Sequence, residues 1–242
     1  MRTRLLVIAA AALAVVALAG GAGYVYYFSG LRTSPGQLGL SATPTATSAA
    51  TATPATVASL TGSWTVASGS IAGYRVKELF VGQASKHEAV ARTSTVSGGL
   101  TVSGDSNGYQ VSAVTFTAGL ADLHSVDSVA GRNVTQRDGV VSRQLDVQQF
   151  PTATLAVASA SVPGGISSQQ VDVTADAKLT IHGVTKDVTV KGKAQLAGSR
   201  VEIAGSISIV MTDYGVTPPP APFVTVDSTV LIEFDIFLTK AA

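Results

Sequence analysis

From Val171 to Ile181 the chain alternates without a break. Val171, Val173, Ala175, Ala177, Leu179 and Ile181 are apolar, and Asp172, Thr174, Asp176, Lys178 and Thr180 between them are polar. Successive side chains on a strand point to opposite faces, so a period of two predicts a strand buried on one side only. The pattern resumes after His182-Gly183, a turn-like pair. Val188, Val190, Ala194 and Leu196 then alternate with Thr189, Lys191, Lys193 and Gln195. It continues through Val201, Ile203, Ile207, Ile209 and Met211, and again through Val224, Val226, Val230, Ile232, Phe234, Ile236 and Leu238. These strands run to roughly 10–15 residues, against a usual mode of 5 or 6.

Earlier segments follow the same rule less cleanly. Tyr74, Val76 and Phe80 share one parity, as do Val114, Phe116, Ala118 and Leu120, while Leu155 and Val157 follow Pro151. Gly98-Gly99, Ser106-Asn107-Gly108, Pro163-Gly164-Gly165 and Gly198 are expected turns. About eight strands result. Ser125 to Gln149 lacks the alternation, carries Arg132, Arg137, Asp138, Arg143 and Asp146, and predicts a short helical insertion capped by Ser125 or Asp127. Long antiparallel strands must protect their edges, which a closed barrel does by removing them. A two-sheet sandwich produces the same alternation, so periodicity leaves both open.

Ahead of this domain, expected at 62–242, lie two segments of different character. Residues 1–29 begin with Arg2 and Arg4 and continue into an uncharged run, Leu5 to Phe28, that ends in Tyr24, Tyr26, Tyr27 and Phe28. As a helix those 24 residues span about 36 Å, enough for a ~30 Å hydrocarbon core, with the aromatic residues at its interface. A retained single-pass anchor is the preferred reading, its N-terminus cytoplasmic and its C-terminal domain outside. Cleavage after Ala17-Leu18-Ala19 would instead release a secreted protein. Residues 30–61 include SATPTATSAATATPATVAS, too poor in large apolar groups to offset the entropy of ordering, and are expected to be a spacer.

Charge and composition narrow the chemistry. The chain has no cysteine, which excludes disulfides, thiol nucleophiles and a lipoprotein anchor. Net charge is +1, but Arg2, Arg4 and Arg32 precede residue 60. Without them 13 basic groups face 15 acidic ones, no footprint for nucleic acid. His87, His124 and His182 are scattered, so no metal is expected; His124 near Asp122 and Asp127 is the nearest approach to a ligand set. No nucleophile elbow, phosphate loop or dinucleotide fingerprint occurs, so neither catalytic residues nor a cofactor are expected. Glu78 stands out because it shares the inward parity of Tyr74, Val76 and Phe80. An ionised carboxylate in an apolar interior is costly unless paired. Either a bulge or rim position turns it outward, the preferred reading, or it meets a ligand head group near a mouth.

LTIHGVTKDVTV at 179–190 resembles the YceI-like family of exported lipid-binding proteins. GSWTV at 62–66 is similar to that family's opening strand. Arg137-Asp138 followed by Phe150-Pro151-Thr152-Ala153-Thr154 is similar to its helical insertion and next strand, and MTDYGV at 211–216 to its late loop. The four segments occur in the family's order. Met211-Thr212 stands where Arg-Ser is frequent, and the proline-rich run at 218–222 is unusual. The resemblance implies an all-β, eight-stranded, antiparallel lipocalin-like barrel with a short helical insertion, here preceded by one transmembrane helix. It also implies an apolar tunnel for an isoprenoid or quinone-like lipid. Expected lining residues are Val76, Phe80, Phe116, Leu155, Leu179, Ile181, Ile207, Ile209, Phe234 and Ile236, with Glu78 at a polar rim. Non-catalytic sequestration or carriage of lipid at the outer face of the membrane is the resulting expectation. The rival is a stalked envelope module with a filled core that binds another protein.

Overall fold

A computed structural model describes residues 14–18, 20–23, 32–41, 60–105, 108–163, 170–218 and 220–241. In chain order the elements are β1 (Arg32–Thr33), β2 (Gly62–Val66), β3 (Ile71–Phe80), β4 (His87–Thr93), β5 (Val96–Asp105), β6 (Gly108–Gly119), β7 (His124–Ser125) and β8 (Ser128–Val129). Helix α1 (Gln136–Gln144) follows. Then come β9 (Thr152–Pro163), β10 (Val171–Ile181), β11 (Val184–Ala197), β12 (Arg200–Val210), a 3-10 turn (Met211–Tyr214) and β13 (Val224–Lys240).

Eight strand positions close into one antiparallel barrel because β13 is long enough to serve two neighbours. One edge of β13 pairs with β12 from Thr229 to Leu238. The other edge pairs with β3 from Val224 to Asp235, then with β2 from Leu238 to Lys240. Thus β2 and β3 occupy one barrel position in succession, broken at residues 67–70. The same holds for β4 with β5, and for β6 with β7, against their neighbours. The circuit runs onward through β9, β10, β11 and β12 back to β13. Closure pairs most of the strand edges, which is how a barrel rather than a sandwich satisfies them, although β9 and β10 meet only where Thr154–Ala156 face Lys178–Thr180. Two ends result. The upper end carries the β3–β4 hairpin, α1, the His182-Gly183 hairpin and the loop before β13. The lower end carries the β5–β6 and β11–β12 hairpins.

The uneven alternation before residue 120 has a local cause. Ala113 adopts a φ of 52°, and the β5–β6 register shifts between Gly99 and Thr101. The bulge lets Val111 and Val114, of opposite parity, both face inward. Gly98-Gly99, expected as a turn, lies inside β5 instead. A Cβ on Gly98 would sit 2.0 Å from the Thr115 carbonyl oxygen, so the glycines permit close strand approach. The insertion also differs from expectation. Neither Ser125 nor Asp127 caps the helix, which starts at Gln136 after Thr135 with no side-chain cap. Ser125 instead donates its hydroxyl to Asp138, and Asp127 is drawn into the barrel.

The expected spacer at 30–61 divides in two. Residues 42–59 lie outside the described residues, but Arg32–Ser41 crosses the outer barrel wall as a strap. Arg32 and Thr33 pair with Val129 and Ser128, and the Arg32 guanidinium donates to Ser85. Farther along, the Leu38 amide donates to Glu233 (3.0 Å), and the Ser41 amide and hydroxyl donate to Glu202 (2.6 and 2.8 Å). Arg75 and Arg92 pair with Glu233 and also donate to the Pro35 and Gly36 carbonyls. Glu202 and Glu233, outward-facing members of β12 and β13, are therefore completely buried. Among the described residues no helix is long and apolar enough to cross a membrane; most of Leu5–Phe28, with all four terminal aromatics, lies outside them.

Candidate functional site

The barrel interior separates into a hollow lower half and a packed upper half. The hollow is a cavity of about 90 Å³ whose wall, among the described residues, is apolar. Trp64, Leu100, Val102 and Val111 border it from one side, and Leu155, Val157, Val173, Val201 and Ile203 from the other. Ala160, Ala175 and Ala194 leave the space by being small, and Phe234 and Leu238 complete it. Gly205 allows this arrangement: a Cβ there would meet the Phe234 ring at 2.7 Å and the Lys191 carbonyl at 2.8 Å. The ring lies over the glycine across the β12–β13 pair, where Gly205 faces Phe234. The Trp64 indole is tied back by donating to the Leu60 carbonyl (2.8 Å).

Of the expected lining residues, Phe116, Leu155 and Phe234 border this cavity. Val76, Leu179, Ile181, Ile207, Ile209 and Ile236 are buried in the same apolar cluster without bordering it. Phe80 is buried at the upper end between His87 and the Arg132 guanidinium, which lies 4.2 Å from its ring centre. Trp64, Leu100, Val102 and Tyr109 border the cavity but were not singled out by sequence reasoning. Their signal was present in GSWTV and in the parity of Leu100 with Val102, but short strands around a glycine pair obscured it.

The upper end is closed by buried charge. Glu78 faces inward opposite His87 on β4, and no bulge turns it out; the register slip lies in β13, between Val226 and Val230. Its partner is Arg137 of α1, whose Nε and Nη2 donate to the two Glu78 oxygens, each at 3.0 Å. The same guanidinium grips Asp127 with Nη1–Oδ1 at 2.8 Å and Nη2–Oδ2 at 3.2 Å. Asp127 further accepts from the Val90 amide (3.0 Å) and lies 2.6 Å from His87 Nε2. One guanidinium thus holds two carboxylates, a geometry its planar fork allows and an ammonium does not.

The electrostatics follow from burial and pairing. Burial pushes Glu78 above the usual carboxylate range, and Arg137 only partly opposes it. Burial would also raise Asp127, but hydrogen bonds from His87, Arg137 and the Val90 amide outweigh it and hold the group well below that range. Burial drives the Tyr74 phenol far upward, so it stays neutral at any physiological pH. His182 has a structural position: at φ 52° in the β10–β11 turn, its Nδ1 lies 3.1 Å from the Tyr214 carbonyl and its ring meets Phe150 edge-on. His124 is exposed, with its Nδ1 2.9 Å from the Asp122 carbonyl. Among the described residues no three acidic or histidine side chains gather as a metal site.

Comparison with known proteins agrees with this architecture. A family model for the YceI-like domain matches residues 42–238. The structure of a polyisoprenoid binding domain from Saccharophagus degradans, implicated in plant cell wall breakdown, is similar with a TM-score of 0.52 at 17% identity. The match covers 74% of this chain and 98% of that one. BcnA of Burkholderia cenocepacia is 19% identical, over 68% of this chain and 95% of its own, with a TM-score of 0.45. A YceI protein of Campylobacter jejuni is 12% identical, over 56% and 79%, with a TM-score of 0.33. No curated protein matches the sequence.

Proposed function

The chain belongs to the YceI-like domain family, and from that premise we propose that its barrel binds an isoprenoid or quinone-like lipid chain without catalysis. The observation that carries this reading is the lower cavity, lined by aliphatic and aromatic side chains with no polar atom on its wall among the described residues. Such a wall recognises an apolar chain by shape, and each methylene removed from water contributes about 0.8 kcal/mol. A polyisoprenoid binding domain among the structurally similar proteins supports the same class of ligand.

The free space, about 90 Å³, is small beside the ~300–1,000 Å³ of ordinary ligand pockets. Binding therefore requires lining side chains, Phe116, Leu155 and Phe234 being the bulky candidates, to give way so that the guest replaces side-chain packing. The same small volume favours the second reading, a packed module that binds another envelope protein. We further propose that Leu5–Phe28 spans the membrane and keeps the barrel on the outer side, on the strength of its length, its flanking arginines and its terminal aromatics.

The test uses the full chain and an Ala175→Phe variant that fills the cavity, purified side by side and extracted with organic solvent. Mass spectrometry should recover a polyprenyl or quinone-like lipid from the first and far less from the second. Equal recovery from both would assign the lipid to the anchor, and none from either would leave the protein-binding reading standing.

A further inference from the structure

Among the described residues, the large exposed hydrophobic side chains of the barrel gather at one end. Outside the N-terminal run, the large hydrophobic side chains exposed among the described residues are Val81, Val126, Val210 and Phe223. Val81 opens the β3–β4 hairpin loop, Val126 lies between β7 and β8, Val210 ends β12, and Phe223 precedes β13. Each of these positions belongs to the upper end. Val81 and Phe223, 70% and 55% exposed, are neighbours, because the Val81 amide donates to the Phe223 carbonyl at 3.0 Å. Isolated exposed valines need no explanation, but an asymmetric set on adjoining loops does.

The strap begins at this same end. Arg32 donates to the carbonyl and hydroxyl of Ser85, in the hairpin loop that Val81 opens. The apolar run ends at Phe28, four residues before Arg32. Four residues of extended chain reach at most about 14 Å. If Leu5–Phe28 lies in a bilayer, the leash cannot let the upper end stand farther from the membrane surface than that. The Ala/Thr/Ser/Pro segment follows the strap, at 42–59, so its length adds nothing to the distance.

We propose that the upper end is a membrane-contact face, with Val81 and Phe223 set in the lipid interface beside the exit of the anchor. Arg132 stands at the same rim with its guanidinium outside the Phe80 ring, suited to lipid phosphates, while Lys86 is paired with Asp227. The arrangement turns the cavity half and the β11–β12 hairpin away from the bilayer. It rests on the membrane-spanning reading of the N-terminal run.

A chain without cysteine allows site-directed spin labels with no background. Full-length protein carrying Ala22→Cys, Val81→Cys, Phe223→Cys or Ser199→Cys is labelled singly and reconstituted into phosphatidylethanolamine–phosphatidylglycerol vesicles. Ser199 marks the lower end. Labels at 22, 81 and 223 should relax several-fold faster with oxygen than with a water-soluble nickel chelate, and the label at 199 the reverse. A hydrocarbon signal at 22 with aqueous signals at 81 and 223 would overturn the contact face and leave the anchor intact. An aqueous signal at 22 would remove the anchor, and the contact face with it.

Discussion

The barrel buries carboxylates on both sides of its wall and satisfies them by different means. Inside, Glu78 and Asp127 are held by Arg137, a residue of the helical insertion within the family domain. Outside, Glu202 and Glu233 are held by Gln195, Arg75, Arg92 and the backbone of Leu38 and Ser41, in a strap that precedes the matched domain. The inner group closes an end of an apolar vessel. The outer group turns ten residues of chain into part of the wall. A buried carboxylate therefore says little until its partner is identified: one locks a plug, the other fixes where the chain leaves the barrel.

Breaking the inner group should cost most. Arg137→Ala leaves two carboxylates buried without their cation, and removal of one partner from a buried pair costs about 3–5 kcal/mol. Urea unfolding should show a midpoint lowered accordingly with an unchanged slope. Asp127→Asn should lose less, on the order of 1–3 kcal/mol near neutral pH. Its sign with pH is fixed by the depressed native value: the stabilisation is present above the unfolded pKa of 3.8 and disappears as pH falls toward the native one. The gap between wild type and variant should thus begin to narrow below about pH 4 and go on shrinking with further acidification.

The outer group should respond more gently. Glu202→Gln weakens the bonds from the Ser41 amide and hydroxyl by about 1 kcal/mol, and amide exchange at Ser41 should speed up while that of Val90 does not. The smallest effect is expected at Asp235, with opposite sign. Burial and the adjacent Glu202 carboxylate push its pKa up to about 7. The native state keeps this proton where the unfolded chain has lost it, so stability falls as pH rises from about 4 to 7. Asp235 is only partly buried, so solvent screening trims the effect, and Asp235→Asn should match wild type near pH 4 and melt about 2 °C higher or less at pH 8, under roughly 1 kcal/mol for a domain of this size.

These two groups also differ in how visible they were in the sequence. Glu78 could be flagged because it sits at an inward parity among Tyr74, Val76 and Phe80, and its pairing with Arg137 was beyond reach only because the two are 59 residues apart. Glu202 and Glu233 carried no such flag. They occupy the outward parity of clean alternating strands, and an outward glutamate reads as solvated until something covers it. The strap that covers them has no periodicity of its own: SPGQLGLS makes side-on contacts through backbone amides and carbonyls, which sequence composition does not encode.

The alternation from Val171 to Leu238 by itself determined long antiparallel strands with one apolar face, because a period of two leaves few other structures. Four motifs in order carried the resemblance to the family. Tertiary structure alone decided how that apolar face is used. Closure of β13 onto both β12 and β2–β3 makes the barrel, and the local sizes of Ala160, Ala175, Ala194 and Gly205 place the hollow in the lower half. Inward parity gives every strand the same instruction along its length. Whether inward side chains meet or leave room depends on what faces them across the barrel, and that is a property of the closed circuit rather than of any one strand.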